Sequence, residues 1–181
     1  MLILMSILNY PQEVIKKFNG YQVTYSVNMK IPLIVEFKVQ CGNRNEVSRN
    51  YRFYEDKVIK SASDKDYYKS GYDRGHMFPA EDGDCNQIFM KESFSYLNVV
   101  PQDRSLNRGP WKSIEQIESR LSRNSKIRVK ILIVPGTKYI GRVNVPKGFY
   151  RYIWQNNILI RTYYFPNEKP KSKNLKYYEL K

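Results

Sequence analysis

Histidine, cysteine and acid are all scarce in this sequence. The chain has one histidine and two cysteines in 181 residues. A single imidazole, His76, excludes the clustered His and Cys/His sites that hold structural zinc. Cys41 and Cys85 are too few for a disulfide framework and lack metal-site spacing. One bridge is open to them, but two buried free thiols are the expectation. Asp and Glu number 17 against 31 Lys and Arg, a formal net charge of +14. That imbalance points to a polyanionic partner, nucleic acid or an anionic membrane face, over the plainer reading of surface solubility. No apolar run approaches the roughly 20 residues that a membrane-spanning helix needs. The opening MLILMSIL has no positive flank before it and no small-residue cleavage site after it. It is therefore read as a first buried segment rather than a signal peptide, which favours an intracellular chain with no membrane partner. No repeat, low-complexity tract or linker interrupts residues 1–165, so residues 1–181 read as one domain.

Hydrophobic residues make up 41% and aromatics 14%, which separates the chain from disordered, charge-rich sequences. YQVTYSV and IPLIVEFKV are β-rich runs joined by a short turn. The polar stretch KSASDKDYYKSGYDRG reads as a loop leading to the histidine, and FSYLNVVPQ as a short strand ended by Pro101. SLNRGPWKSIEQIESRLSRN is the clearest helix: Pro110 suits a first turn, and Trp111, Ile114, Ile117 or Glu118, and Leu121 recur at helical spacing. KIRVKILIVPGTKYI reads as a central strand, and GFYRYIWQ and ILIRTYYFP as two more. The lysine-rich tail, residues 169–181, is expected to be frayed or lightly docked. Strands, one strong helix and further strands give an α+β domain with a mainly antiparallel sheet.

The histidine stands in YDRGHMFPAEDGD, the most acidic short stretch of a basic chain. Hydrolysis of a phosphodiester needs a base for water, and positive charge for the phosphoryl and leaving oxygens. An imidazole, with an ordinary pKa of about 6.5, suits the first task. A hydrated Mg²⁺, which takes hard oxygen ligands and keeps several waters, suits the second. An arginine fork matches phosphate oxygens. Arg74, two positions before His76, shares its face if the segment is extended. Asn107 sits at the mouth of the helix with an amide oxygen to offer. Glu115, eight residues on, falls roughly two helical turns later on the same side. Each alone has a plainer reading: a half-buried histidine, an N-cap, a solvated glutamate.

YDRGHMFPAEDGD, followed by ESFSYLNVVPQ and LNRGPWKSIE, resembles the DNA/RNA non-specific endonuclease family. That family's pattern is D-R-G-H, then an N-x-x-P-Q strand, then L-N-x-G-x-W on a helix running to a glutamate. The likeness extends over residues 20–168. It implies a ββα-metal nuclease fold, with the catalytic finger over residues 72–121, an N-terminal segment over 1–19 and a basic tail. It also implies His76 as general base, Asn107 as the direct protein ligand of hydrated Mg²⁺ (or Mn²⁺ in its place), and Arg74 on the scissile phosphate. Glu115 would hold metal-bound water, Asn98 would support the site from the neighbouring strand, and Asp73 would orient the finger. The acids around His76 would fix its ring. DNA and RNA would be the substrates, cut to 5′-phosphate and 3′-hydroxyl ends. Members form homodimers, and an inhibitor partner is left open.

Two departures limit the transfer. The family's upstream arginine could be Arg49 or Arg52 in SRNYRFYED, of which Arg49 matches more relatives. Its late helix arginine falls on Ser119, with Arg120 one position away, so that role is not carried over. The C-terminus is also short for the family. A non-catalytic basic nucleic-acid binder, using exposed tyrosines for stacking, stays open as an alternative. So does a phosphodiesterase acting on a smaller phosphorylated compound.

Overall fold

A computed structural model of the chain describes residues 13–41 and 46–181, and the apolar opening MLILMSIL lies outside them. In chain order the strands are β1 (Glu13–Lys17), β2 (Tyr21–Ser26), β3 (Ile31–Lys38), β4 (Asp73–His76) and β5 (Val99–Gln102). They continue as β6 (Ile127–Val134), β7 (Lys138–Ile140), β8 (Val143–Val145), β9 (Gly148–Gln155) and β10 (Ile158–Pro166). The helices are α1 (Asp64–Tyr67), α2 (Gln87–Ser93), α3 (Arg104–Leu106) and α4 (Lys112–Ser122).

Six strands form one antiparallel sheet in the order β1-β2-β3-β6-β9-β10. Side chains alternate across a strand, so each sequence sorts itself between two faces. In β6, Ile127, Val129, Ile131 and Ile133 are buried while Arg128, Lys130 and Leu132 turn outward. In β9, Phe149, Arg151 and Ile153 are buried and Tyr150, Tyr152 and Trp154 turn outward. β6 lies between β3 and β9, the central place its apolar run implies.

A separate two-stranded unit pairs β4 with β5 antiparallel, placing Gly75 opposite Val100 and His76 opposite Val99. α4 follows; its buried residues are Ile114, Glu118 and Ser119, and Trp111 is buried just before its start. Trp111 packs between Phe149 and Phe165 of the sheet, with ring centroids at 5.3 and 5.6 Å. Strand, strand and helix thus dock as one finger on the buried face of the sheet, in an α+β architecture.

Two expectations change and a third is narrowed. Cys41 and Cys85 are not free thiols: they form a disulfide. Their Cα atoms stand 5.2 Å apart, inside bridging range, although 44 positions separate them in sequence. The bridge joins the end of β3 to the turn before α2, and closing a loop of that size stabilises the fold by about 4 kcal/mol. Pro101 does not end the second finger strand. β5 runs through it to Gln102, because β5 pairs only with β4 and its other edge needs no ladder donor. The tail is docked: the Tyr178 ring lies 5.0 Å from Phe165, and its carbonyl accepts the Tyr164 N–H at 2.9 Å. Two apolar anchors among the lysines, Leu175 and Tyr178, hold it against the core.

Candidate active site

Close strand pairing explains the glycine in D-R-G-H. A Cβ at Gly75 would collide with the side-chain oxygen of buried Gln102, so only glycine lets β4 approach β5 here. After His76 the chain turns away under the control of Asn98, which is wholly buried. Its side chain accepts the Phe78 N–H at 2.7 Å and donates to the carbonyls of Phe78 and Ser93, both at 2.9 Å. Asn98 is a strut for the loop beyond the histidine.

Asn107 is placed by a break in the helix. Asp103 caps α3 by accepting the N–H groups of Ser105 and Leu106 at 2.8 and 3.0 Å. A wide turn over Asn107–Trp111 then carries the chain into α4, with Gly109 at φ −111°, ψ −110°. Asp73 completes the setting. It takes two hydrogen bonds from the Arg108 guanidinium, both at 2.8 Å, and one from the Asn107 Nδ2 at 3.0 Å. With its amide nitrogen engaged, Asn107 has its carbonyl oxygen left for the cavity it lines.

That cavity, about 450 Å³, is bordered by His76, Asn107 and Glu115, by the cations Arg49, Arg108 and Lys112, and by Pro79, Ala80, Glu81 and Phe94. A second hollow of about 420 Å³ shares Glu81, Lys112 and Glu115 and continues along α4 to Arg120 and Arg123. The imidazole lies against the rings of Phe53 and Phe94, each 5.2 Å away, and its buried Nε2 has no hydrogen-bond partner. Burial lowers the His76 pKa to about 4; the Glu81 charge opposes the shift and the Arg49 charge adds to it. Burial likewise pushes the Glu115 carboxyl well above the ordinary carboxylate range, against the pull of Arg151 and with the push of Glu81, Glu118 and Asp82.

The family-level comparison agrees with this geometry. The model of the DNA/RNA non-specific endonuclease family matches residues 5–180. The chain belongs to that family. Over 130 residues it is 31% identical to mitochondrial endonuclease G of Bos taurus, covering 68% of this chain and 41% of that protein. Over 101 residues it is 36% identical to the mitochondrial nuclease of Saccharomyces cerevisiae, covering 54% of this chain and 30% of that protein. The chain therefore spans less than half the length of either relative. Its fold matches a crystal structure of an EndoG/EndoGI complex with a TM-score of 0.81, over 95% of this chain and 82% of that one, at 23% identity. The fold is thus that of a ββα-metal nuclease.

Within this endonuclease fold, the structure brings His76, Asn107, Glu115 and Arg49 to one cavity. Arg49 rather than Arg52 lines it, held 3.0 Å from Glu81. Arg74 shares the strand face of His76 but does not reach the cavity. Its Nε donates to the Tyr96 hydroxyl at 2.9 Å and its Nη2 to Asp64 at 2.8 Å. Its guanidinium lies 5.4 Å from the Phe53 ring that flanks His76. Asn98 stands behind the site, wholly enclosed. Of the acids near His76, Glu81 pairs with Arg49 and Asp73 with Arg108 rather than with the ring. The ring is flanked by Phe53 and Phe94. Sequence reading missed Arg108, Lys112, Phe53 and Phe94. Adjacency to Asn107 and helical spacing before Glu115 were the only signals for the two cations.

Proposed function

We propose that the protein is a divalent-cation-dependent endonuclease that hydrolyses phosphodiester bonds in DNA and RNA without reading base sequence. The observation that carries this is the meeting, in one cavity, of an imidazole, a side-chain amide, a half-buried carboxyl and three cationic side chains. The residues fit a hydrated Mg²⁺, with Mn²⁺ as substitute. Asn107 would be its direct protein ligand and Glu115 would accept hydrogen bonds from its waters, a set suited to an ion that keeps most of its hydration shell. When bound, the cation would neutralise charge growing on the phosphoryl and leaving oxygens.

The rest falls to the chain's own side chains. With Nε2 enclosed between aromatic rings, Nδ1 is the imidazole nitrogen left to take a proton from water. The water oxygen bonds to phosphorus, the P–O3′ bond breaks, and the products are a 5′-phosphate and a 3′-hydroxyl. Arg49, Arg108 and Lys112 hold the phosphate backbone, and Arg74 positions His76 through Phe53 rather than facing the scissile group. Affinity built on backbone charge carries no sequence information, as a chain of net charge +14 requires.

Among the described residues no helix is long and apolar enough to cross a membrane. The Cys41–Cys85 bridge suits an oxidising compartment, while the mitochondrial relatives are compatible with the intracellular expectation. An inhibitor protein, of the kind named for EndoG, and a homodimer remain proposals by likeness. Supercoiled plasmid and single-stranded RNA, each incubated with Mg²⁺ and with EDTA, test the reading. Both should be cut with Mg²⁺ and neither with EDTA; intact substrates in Mg²⁺, or equal cutting in EDTA, would reject it.

A further inference from the structure

The finger occupies one face of the six-stranded sheet, and the opposite face has a composition of its own. Four outward aromatic side chains form a continuous cluster on β9 and β10. Tyr150 lies 4.7 Å from Tyr164 and 6.4 Å from Tyr152, and Tyr152 lies 6.0 Å from Trp154, measured between ring centroids. Each is only partly buried. The neighbouring strands supply cations at matching heights: Lys130 stands opposite Tyr152, and Arg128 opposite Trp154. Lys38 lies beyond Arg128. The Arg128 guanidinium lies 4.0 Å over the Trp154 indole. Glu36, 3.5 Å from Lys130, is the sole carboxylate that β3, β6, β9 and β10 carry between them.

We propose that this face is a second nucleic-acid-binding surface, a stacking platform for an unpaired strand, separate from the cleavage cavity. Rings repeated along a strand at 6.0–6.4 Å offer successive bases a surface each, while a bordering row of Lys and Arg tracks the phosphates. A duplex hides its base faces, so the surface selects single strands. It does so without sequence preference, because every base has a π-face. β9 separates the two sites: Arg151 points to the finger helix through Glu118, whereas Tyr150, Tyr152 and Trp154 point the other way. The inference shares with the nuclease reading the assumption of a nucleic-acid ligand, but it does not depend on His76.

The two tryptophans allow a direct test, since Trp111 is 1% exposed and Trp154 is not. The full chain is titrated with an oligothymidylate in EDTA while tryptophan emission is followed. The oligonucleotide should change Trp154 emission at saturation. Tyr150→Ala and Tyr152→Ala should each weaken its binding about tenfold or more, the scale of one lost stacking partner. Lys130→Glu leaves every ring in place and must also weaken binding, so that poor folding of a ring variant cannot shelter the idea. Cleavage of a short duplex in Mg²⁺ should stay within about twofold in all three. Unchanged affinity, or unchanged emission at saturation, overturns the proposal. So does a shift in sedimentation of the ring variants without loss of oligonucleotide binding, which would make the face a contact between copies. A chain that binds the oligonucleotide but never nicks plasmid would keep this inference and lose the nuclease reading; a chain that nicks without binding here would do the opposite.

Discussion

The two sides of α4 treat charge in opposite ways. On the buried side, Glu118 and Arg151, exposed by 1% and 0%, form a two-pronged ion pair at 2.6 and 2.7 Å, with the Trp111 ring 4.6 Å from the guanidinium. On the cavity side, one turn earlier, Glu115 has no ion-pair partner among the described residues, and the nearby His76 Nε2 has no hydrogen bond. The first arrangement pairs both buried charges, although the Arg151 Nη1 has no hydrogen-bond partner. The second leaves a carboxyl and an imidazole beside one cavity, where burial disfavours the charged form of each. The difference separates a glutamate paired inside the fold from one that faces the cavity, three residues apart on the same helix.

The largest effect should come from breaking the buried pair. Glu118→Ala leaves Arg151 charged and enclosed, and should lower stability by about 3–5 kcal/mol in denaturant unfolding. Glu115→Gln should do the reverse: the unfolding midpoint holds or rises, because burial already disfavours the charge, while Mg²⁺-dependent cleavage falls. If both variants lose stability alike, the contrast between the two sides is wrong.

The pH response sharpens the same contrast. Burial brings the His76 pKa to about 4, so the imidazole stays neutral and able to accept a proton far below its ordinary 6.5. In the metal-free protein the imidazole proton resonances of His76 should therefore titrate near 4 rather than 6.5. The sign for stability is the same: between those values the unfolded chain binds the proton and the folded one does not, so this group's contribution declines as pH falls through that window. A titration midpoint at 6.5 would show a solvated ring.

Arg74 should give the smallest effect. If it acts by positioning, Arg74→Lys should lower kcat about tenfold with KM unchanged, since a point charge does not replace a fork held by Tyr96 and Asp64. Asp64→Asn should then mimic it. An Asp64→Asn variant as active as the parent would instead show Arg74 free to meet the phosphate.

Much of the site was legible because local rules place it. Alternation along D-R-G-H puts Arg74 and His76 on one face of β4, and eight residues carry Asn107 to Glu115 along the helix. The antiparallel core was legible too, from runs such as IRVKILIV that alternate in the folded sheet. What was hidden depends on contacts distant in sequence. The Cys41–Cys85 bridge spans 44 positions, Phe53 reaches His76 from a separate segment, and Arg74 turns toward Asp64 and Tyr96. Arg108 and Lys112 were hidden by abundance, two cations among 31. The tail's docking was legible only as one of two alternatives, because its lysines outnumber the two apolar anchors that hold it.

The most direct test of the central claim is the plasmid-nicking rate of His76→Ala, measured beside its unfolding midpoint and its affinity for duplex DNA in EDTA. The cavity reading predicts a fall in rate of about 10²-fold or more, the usual contribution of a positioned base, with affinity and midpoint close to those of the parent. A variant that nicks at the parent's rate would contradict it outright.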